Sequence, residues 1–147
     1  FTSYTGRGMS RENVEMLRRA YAAFSERDVE GALQDISPEA TYVTTGLPGQ
    51  PKVVRGPEGY REAFGWLLDM FDDWTLAARE FIDAGDKVAT EFTLSGRGHQ
   101  SGIESSITFW QVWTVRDGKF VHGQGFTSRE KALAAAGLQS RRADLNR

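Results

Sequence analysis

The residue that first suggests chemistry is Gln111, which interrupts an apolar run. Residues 107–115 are rich in β-branched and aromatic side chains, which predicts a β-strand. Because side chains alternate along a strand, Gln111 shares one face with Phe109 and Trp113 and is the single polar residue among them. A buried amide without partners costs about 1–3 kcal/mol. We therefore expect Gln111 either to bind a ligand in a pocket or to pair across a dimer interface.

Three residues are the candidate catalytic groups: Glu91, Tyr42 and His122. Glu91 lies between Thr90 and Phe92 in the middle of a predicted strand. If Glu91 points inward among aromatic side chains, its pKa should rise, and it would then be a general acid or base with Tyr42 or Gln111 polarising the substrate oxygen. If Glu91 points outward, it is an ordinary solvated carboxylate.

The direction of His122 depends on the register of a predicted hairpin. An Asp-Gly pair at 117–118 separates two β-rich runs, which is a strong turn signal. A two-residue loop places His122 and Gln124 on the face of Gln111. A three-residue loop with a glycine bulge instead places there Val121, Gly123 and Gly125.

Composition excludes several classes of protein. The chain has 147 residues, a formal net charge of -2 and no cysteine, so disulfides, thiolate chemistry and general attraction to nucleic acid are not expected. No apolar run approaches the roughly 20 residues of a membrane span. His99 and His122 are far apart without matching carboxylates, so we predict no metal site and no cofactor. The default location is the cytoplasm.

Hydrophobic periodicity predicts helices first and strands later. The predicted elements are helices at about 11–26 and 28–36, a strand at 40–45, a loop at 46–51, a helix from Pro57, strands at 75–82, 87–95 and from 101 into the hairpin, and a helix at 128–136. This order predicts an α+β fold in which a strongly curved, mostly antiparallel sheet wraps around about three helices as a cone. The mouth of such a cone is a natural pocket.

The domain boundaries follow from the same periodicity. Residues 9–138 are predicted to form a single domain. Residues 1–8 are polar and aperiodic, which predicts a disordered leader or vector remnant, and 139–147 form a polar C-terminal tail.

Four stretches, at 18–30, 81–88, 112–119 and 130–138, resemble SnoaL-like proteins. These are relatives of ketosteroid isomerase that share the nuclear transport factor 2-like cone fold, and the resemblance covers nearly all of residues 9–138. It implies the same fold for this chain. Function is less constrained, because the fold hosts isomerases, polyketide cyclases, hydrolases and binding domains.

The resemblance does not carry over the catalytic residues of ketosteroid isomerase. It places the tyrosine, the base and the second aspartate of that enzyme at Ala20, Thr44 and Gln111. A threonine cannot abstract a carbon-bound proton at neutral pH, and a glutamine donates hydrogen bonds but is no acid. Residues 120–126 hold no carboxylate where SnoaL-type cyclases carry an aspartate. The resemblance also favours the glycine bulge, which leaves His122 on the outer face, in solvent or against a dimer partner.

The predicted pocket wall combines strand and helix residues. Tyr42 and Thr44 share a strand face, and the resemblance places Thr44 at the pocket, while Trp66 and Met70 flank the apolar stripe of the third helix. The expected ligand-binding residues are Tyr42, Thr44, Trp66, Met70, Phe109, Gln111 and Trp113.

We therefore predict a protein that binds a small hydrophobic or oxygenated molecule of terpenoid, steroid or polyketide type in an apolar cone. The alternative is a metal-independent hydrolase, or an enzyme of isomerase or cyclase type, that uses Glu91 or another inward titratable group. Both faces of the final hairpin carry aromatic and β-branched side chains, and three helices cover only one face, so we also expect a homodimer.

Overall fold

The computed structural model describes residues 2–44 and 52–138, which form four helices and one six-stranded sheet. The elements are α1 (Thr2–Ser25), α2 (Val29–Leu33), β1 (Ile36–Thr44), β2 (Lys52–Arg55), α3 (Gly56–Leu68), β3 (Phe71–Ala84), β4 (Lys87–Gly98), β5 (Glu104–Arg116), β6 (Lys119–Phe126) and α4 (Arg129–Ala135). The predicted α+β class, with a curved and mostly antiparallel sheet, is confirmed. The predicted loop at 46–51 and tail at 139–147 lie outside the described residues.

The strands are ordered β2-β1-β6-β5-β4-β3 across the sheet. β1 and β6 run parallel, and every other neighbouring pair is antiparallel. The parallel pair brings the start of the sheet beside its last strand. This arrangement places residues from β1, β5 and β6 next to one another although they are far apart in sequence.

Two boundaries near the N-terminus differ from the prediction. α1 begins at Thr2 rather than Arg11, so the predicted start of this helix is wrong. Extending an existing helix is far cheaper than nucleating one, which lets weakly helical residues join it. Whether residues 1–8 are a leader or vector remnant stays a prediction.

β1 also begins earlier than predicted, at Ile36 instead of Ala40. Pro38 lies within β1 where the pairing of β1 with β6 is irregular, between Ile36 and Thr41. Its missing N–H therefore interrupts no regular ladder. The short edge strand β2 was not predicted, because its four residues show no apolar alternation.

The main core lies between α1, α3 and the inner face of the sheet. α1 contributes Leu17, Tyr21 and Phe24 at helical spacing, and α3 contributes Tyr60 and Phe64 one turn apart. The inner face of the sheet supplies mainly large apolar side chains, among them Leu76, Val88, Phe92, Leu94, Phe109, Trp113, Val115 and Phe120. The helices thus meet the face on which Gln111 lies.

The C-terminal end of α1 is tied to β3. Arg27 has a positive φ of 64°, which reverses the chain after the helix, and its guanidinium lies 3.9 Å from the centre of the Trp74 ring. The same guanidinium donates to the Trp74 carbonyl at 2.6 Å, and the Ser25 hydroxyl donates to the Leu76 carbonyl at 2.9 Å. These contacts fix how α1 crosses the sheet.

In the hairpin of β5 and β6, the residues of β6 that share a face with Gln111 are as predicted, but the length of the loop is not. Its loop has two residues, Asp117 and Gly118, both with positive φ. A bulge then follows in β6, because Thr114 pairs with His122 while Val115 pairs with Phe120. As a result Gly123 lies opposite Trp113 and Gly125 opposite Gln111. The prediction that these glycines share the face of Gln111 is confirmed, and the three-residue loop is wrong.

The outer face of the sheet is partly covered by α4. Ala132 and Ala136 pack with Trp110 and Val112 of β5 and with Ala89 of β4. The prediction assumed that helices cover only one face, and this was wrong, since the chain's own fourth helix buries Trp110 to 3% exposure. The homodimer itself stays a prediction.

Gly123 is required by the side chain opposite it. A Cβ atom at this position would lie 2.7 Å from two ring atoms of Trp113, whose ring is buried and enclosed. We expect Gly123→Ala to destabilise the fold by about 1–3 kcal/mol through overpacking. Urea unfolding measures the change.

Gly65→Ala is the matched control, because a Cβ at Gly65 of α3 meets nothing within 4 Å. Alanine in a helix is about 0.5–1 kcal/mol more stable than glycine. Equal destabilisation by the two variants would contradict the proposed contact between Gly123 and Trp113.

Candidate functional site

Gln111 is the centre of a buried polar cluster on the inner face of β5. The residue is only 1% exposed, and its side chain makes four hydrogen bonds. The partners come from four separate elements: Tyr21 of α1, Tyr42 of β1, Tyr60 of α3 and Trp113 of β5. We call Gln111 and these four residues the amide cluster.

The orientation of the Gln111 amide follows from the indole of Trp113. An indole N–H only donates, and Trp113 Nε1 lies 3.0 Å from Gln111 Oε1, so this atom must be the oxygen. The Tyr21 hydroxyl donates to the same oxygen. Gln111 Nε2 then donates to the hydroxyls of Tyr42 at 2.7 Å and Tyr60 at 3.1 Å. Both acceptor and both donor positions of the amide are occupied.

The hydroxyl hydrogens of Tyr42 and Tyr60 are not used by the cluster. Each of these oxygens accepts a hydrogen bond from Gln111, which leaves its own hydrogen free to donate. Within residues 2–44 and 52–138, neither hydroxyl donates a hydrogen bond. The amide cluster thus offers two buried donors that are bonded to the same nitrogen and lie close together.

The rings of the cluster pack tightly against one another. Tyr42 stacks on Trp113 with centroids 5.3 Å apart, and Tyr60 meets both rings edge-on at 4.8 and 5.3 Å. Phe120 closes the far side of Trp113 at 5.3 Å. Such aromatic contacts add to the energy of burial and restrict the positions of the hydroxyl groups.

Burial raises the pKa of the three tyrosines. The main cause for each is the loss of water around the phenolate, and for Tyr21 and Tyr42 the neighbouring Tyr60 raises the pKa further. The hydrogen bond from Gln111 opposes this change at Tyr42 and Tyr60. All three are therefore neutral phenols at physiological pH, and they donate hydrogen bonds rather than take up protons.

A small cavity of about 20 Å³ borders the amide cluster. This space is enough for roughly one water molecule. The lining residues are Leu17, Ala20, Tyr21, Phe24, Ala32, Ile36, Tyr60, Gln111, Trp113 and Phe120. Side chains therefore leave little free space at Gln111 in this conformation, and a larger molecule there requires some of them to move.

The structure brings together only part of the predicted pocket wall. Tyr42, Gln111 and Trp113 meet in the amide cluster, while Phe109 is buried against Phe92 further along β5, with ring centroids 5.8 Å apart. Thr44 is buried at the end of β1, where its hydroxyl accepts from the Lys52 N–H at 3.0 Å.

Trp66 and Met70, the two candidates predicted beside the third helix, are not part of the amide cluster. Met70 is half-buried beside the main core. Trp66 is 49% exposed and does not line the cavity at Gln111. The reason is helical geometry: Trp66 follows the buried Phe64 by two residues, about 200° around the helix. The apolar stripe of α3 is narrower than the sequence suggested.

Glu91 lies on the outer face of β4, which is the outward one of the two directions left open for it and gives it no role inside the cone. Its neighbours Thr90 and Phe92 are buried on the inner side, and Glu91 pairs across the strands with Trp110 of the outer cluster. His122 is on the outer face too, as expected from the bulge, and its Nδ1 lies 2.7 Å from the Thr41 hydroxyl oxygen.

Two members of the amide cluster, Tyr21 and Tyr60, were not predicted as site residues. Both lie on apolar helix faces, where they read as ordinary core aromatics. The sequence did contain one indication of a polar role. Each tyrosine lies in an otherwise apolar helix stripe, and a buried tyrosine hydroxyl needs a hydrogen-bond partner. No local pattern in the sequence pairs either tyrosine with Gln111.

The interior of the cone carries no charged side chain in the part of the chain that the structure describes. Besides the tyrosines, its buried polar residues are Thr44, Thr90 and Gln111, while the buried Thr114 lies on the outer face. Among the same residues, no three His, Asp or Glu side chains lie together as metal ligands, and no helix is long and apolar enough to cross a membrane.

One family of sequences matches most of the chain. The match is to the SnoaL-like domain and covers residues 17–123. No protein of curated function matches the chain.

Several solved structures share the fold. TerC, co-crystallised with polyporic acid, is 28% identical with a TM-score of 0.67, and the alignment covers 87% of this chain and 98% of TerC. A nuclear transport factor 2-like protein from Burkholderia thailandensis is 27% identical with a TM-score of 0.68, covering 84% and 95%. A protein of ketosteroid isomerase-like fold from Catenulispora acidiphila, in complex with trimethylamine, is 18% identical with a TM-score of 0.65, covering 84% and 93%. At that identity the last likeness concerns the fold alone.

Alkaline titration tests the buried state of the amide cluster. Tyrosines in the unfolded chain titrate near pH 10, whereas those of the cluster have a raised pKa. Their stabilising effect is complete below pH 10 and is lost as the pH rises above it, because only the unfolded chain releases these protons. We expect three of the four tyrosines to ionise late, together with unfolding.

Tyrosinate absorbance and circular dichroism, recorded on the same samples, measure the two events. Tyr21→Phe should remove about a third of the late absorbance change, and in denaturant all four tyrosines should titrate together near pH 10. Ionisation of all four near pH 10 in the folded protein would show that the cluster is open to water.

Proposed function

Because the chain belongs to the SnoaL-like domain family, as its sequence predicted, we propose that it binds a small, mostly apolar molecule carrying a hydrogen-bond-accepting oxygen inside the cone. The observation that carries this proposal is the pair of free hydroxyl donors of Tyr42 and Tyr60 at Gln111, of which Tyr60 lines the cavity. The walls around them are apolar and aromatic. A carbonyl or phenolate oxygen of a ligand matches these donors.

The donors are well suited to hold an oxygen without transferring a proton. Both hydroxyls are bonded to Gln111 Nε2, so they lie close enough to converge on one ligand atom. Their raised pKa keeps them protonated. In a water-poor interior each such hydrogen bond is stronger than in solution, and leaving a donor unpaired is costly. A ligand oxygen would therefore be favoured over a purely apolar ligand.

Binding requires the cavity to grow. A small-molecule site usually has about 300 Å³ or more, against about 20 Å³ at Gln111. Two polar side chains of α1 bond to the backbone of the sheet region. Asn13 donates to the Gly85 carbonyl, and Ser25 donates to the Leu76 carbonyl. Between them, Tyr21 is bonded to Gln111. We propose that outward movement of the middle of α1 opens the space.

A related structure supports the class of ligand. TerC, at 28% identity over 87% of this chain, was crystallised with polyporic acid. This compound is therefore the first probe for the cone. Terpenoid, steroid and polyketide-type molecules remain in the proposal as the wider class.

Catalysis is not part of the proposal. A general acid or base within reach of a ligand in the cone would have to be a titratable group near neutral pH, and Glu91 and His122 are on the opposite face of the sheet. The enzyme alternative based on Glu91 has no support from its position. Tyr42, the third catalytic candidate, has a raised pKa and therefore acts as a hydrogen-bond donor rather than as a base.

The binding proposal is tested by native mass spectrometry and thermal shift with polyporic acid and a panel of terpenoid, steroid and aromatic compounds. We expect a one-to-one complex and a raised melting temperature. Tyr42→Phe and Tyr60→Phe should each weaken binding about 2- to 10-fold, since each removes one hydrogen bond.

A variant that fills the cavity gives a more specific test of the ligand site. Ala20 lines the cavity, so Ala20→Leu should abolish binding, while Ala22→Leu on the exposed side of the same helix should leave it unchanged. Both variants add the same atoms to α1. Retained binding by Ala20→Leu, or no complex with any compound of the panel, would refute a ligand site at this cavity.

We also propose that the protein is a homodimer in the cytoplasm. The outer face includes an exposed part of β4 and β5, where the hydroxyls of Thr93 and Thr108 are 3.0 Å apart across the strands. Light scattering at micromolar concentration should give twice the 16.4 kDa mass of one chain. The mass of a single chain would disprove the dimer.

A further inference from the structure

The outer face of the sheet carries an open groove of about 490 Å³ that is separate from the cone. It lies at the end of the sheet where β4 begins and β5 ends. Six of its lining residues matter here: Ser37, Glu39, Lys87, Thr114, Arg116 and His122. In contrast to the cone, most of these side chains are polar or charged.

Strand pairing places the positive groups around one hydroxyl. Lys87 of β4 is directly opposite Thr114 of β5, and Thr114 is directly opposite His122 of β6. Directly opposed residues have Cβ atoms about 4.5–5.5 Å apart on the same face. Arg116 follows Thr114 by two residues and therefore shares that face. The largely buried Thr114 thus has Lys87, Arg116 and His122 as its neighbours on this face.

Lys87 and Arg116 differ from several other cations of the described residues in having no ion pair. Arg61, Arg97 and Arg129 each form an ion pair with a carboxylate at 2.6–3.2 Å. Within the described ranges, Lys87 and Arg116 form no such pair. Glu39 is the carboxylate that lines the groove, and it does not contact either cation within ion-pair distance.

His122 is held in place by a hydrogen bond to Thr41. The Thr41 hydroxyl oxygen lies 2.7 Å from His122 Nδ1. When Thr41 donates to Nδ1, a neutral imidazole carries its proton on Nε2 and can donate it to a ligand. The hydrogen bond therefore holds the ring in place in the groove, and in this tautomer the ring offers a donor to a ligand.

We propose that this groove binds a small molecule through a carboxylate or phosphate group. Lys87 and Arg116 would supply the charge, and Thr114 and His122 neutral hydrogen bonds to the same oxyanion. The volume exceeds what a bare ion needs, so the remainder of the molecule lies along the groove. Glu39 at the rim disfavours ligands with a second negative charge on that side. This site does not depend on the ligand of the cone.

An NMR titration of the full chain with inorganic phosphate and, separately, with acetate tests the proposal. Ionic strength is kept constant with chloride, because general screening would otherwise mimic binding. We expect saturable shifts of the amide signals of Thr114 and His122 with at least one anion. The anion that binds more tightly identifies the oxyanion as phosphate or carboxylate.

Charge variants distinguish a site from general attraction. Lys87→Gln and Arg116→Gln should each weaken binding about tenfold, as expected for a lost charge-assisted hydrogen bond. Glu39→Gln should strengthen it, since a repulsive carboxylate is removed. Arg97→Gln is the matched control, with the same charge change at the opposite end of β4, and should leave affinity within about twofold.

Three results would overturn the proposal. The first is the absence of saturable shifts with either anion. The second is an equal effect of Arg97→Gln and Lys87→Gln, which would show a long-range effect of net charge. The third is a set of shifts at Thr114 and His122 that follows protein concentration instead of anion concentration, which would make the groove an interface between copies of the chain.

Discussion

The interior of this protein depends on the side-chain amide of Gln111. An amide at 1% exposure must have all its hydrogen bonds made within the protein, and here its two donors and two acceptor positions are all used. The partners belong to α1, β1, α3 and β5, so one polar group joins two helices to two non-adjacent strands. A helix or strand that shifted would leave a buried group unpaired at a cost of about 1–3 kcal/mol. The polar cluster thus specifies how the apolar layers are stacked.

The same cluster determines what the interior can do chemically. Three tyrosines around an uncharged amide form a set of neutral donors, because burial disfavours the phenolate. The Trp113 indole fixes which end of the amide is the oxygen, and this choice leaves the hydroxyl hydrogens of Tyr42 and Tyr60 available. Such a site can orient an oxygen-bearing molecule, whereas proton transfer needs a group whose charge changes near neutral pH.

The two faces of the sheet have different roles. The inner face is aromatic and packs on α1 and α3, and a tight fit such as Gly123 under the Trp113 ring leaves little free volume there. On the outer face, α4 covers the apolar part near Trp110, and the titratable candidates Glu91 and His122 lie on this side. The apolar interior and the charged groups are thus separated by one layer of backbone.

The sequence by itself determined the class of fold and the face of Gln111. Alternation along β5 placed Gln111 with Phe109 and Trp113, and the Asp-Gly pair located the hairpin turn. These are local properties, because side-chain direction along a strand and turn conformation depend on neighbouring residues. The family resemblance added the order of the elements.

Only the tertiary structure decided which groups meet. Tyr21 is 90 residues from Gln111 and Tyr60 is 51 away, and no local pattern pairs residues so distant. Alternation also left open which side of β4 faces the helices, so the direction of Glu91 was settled by the packing of Phe92 and Thr90. The bulge after the hairpin turn has the same origin: two registers are compatible with the local sequence, and the burial of Trp113 against a residue without a side chain selects one.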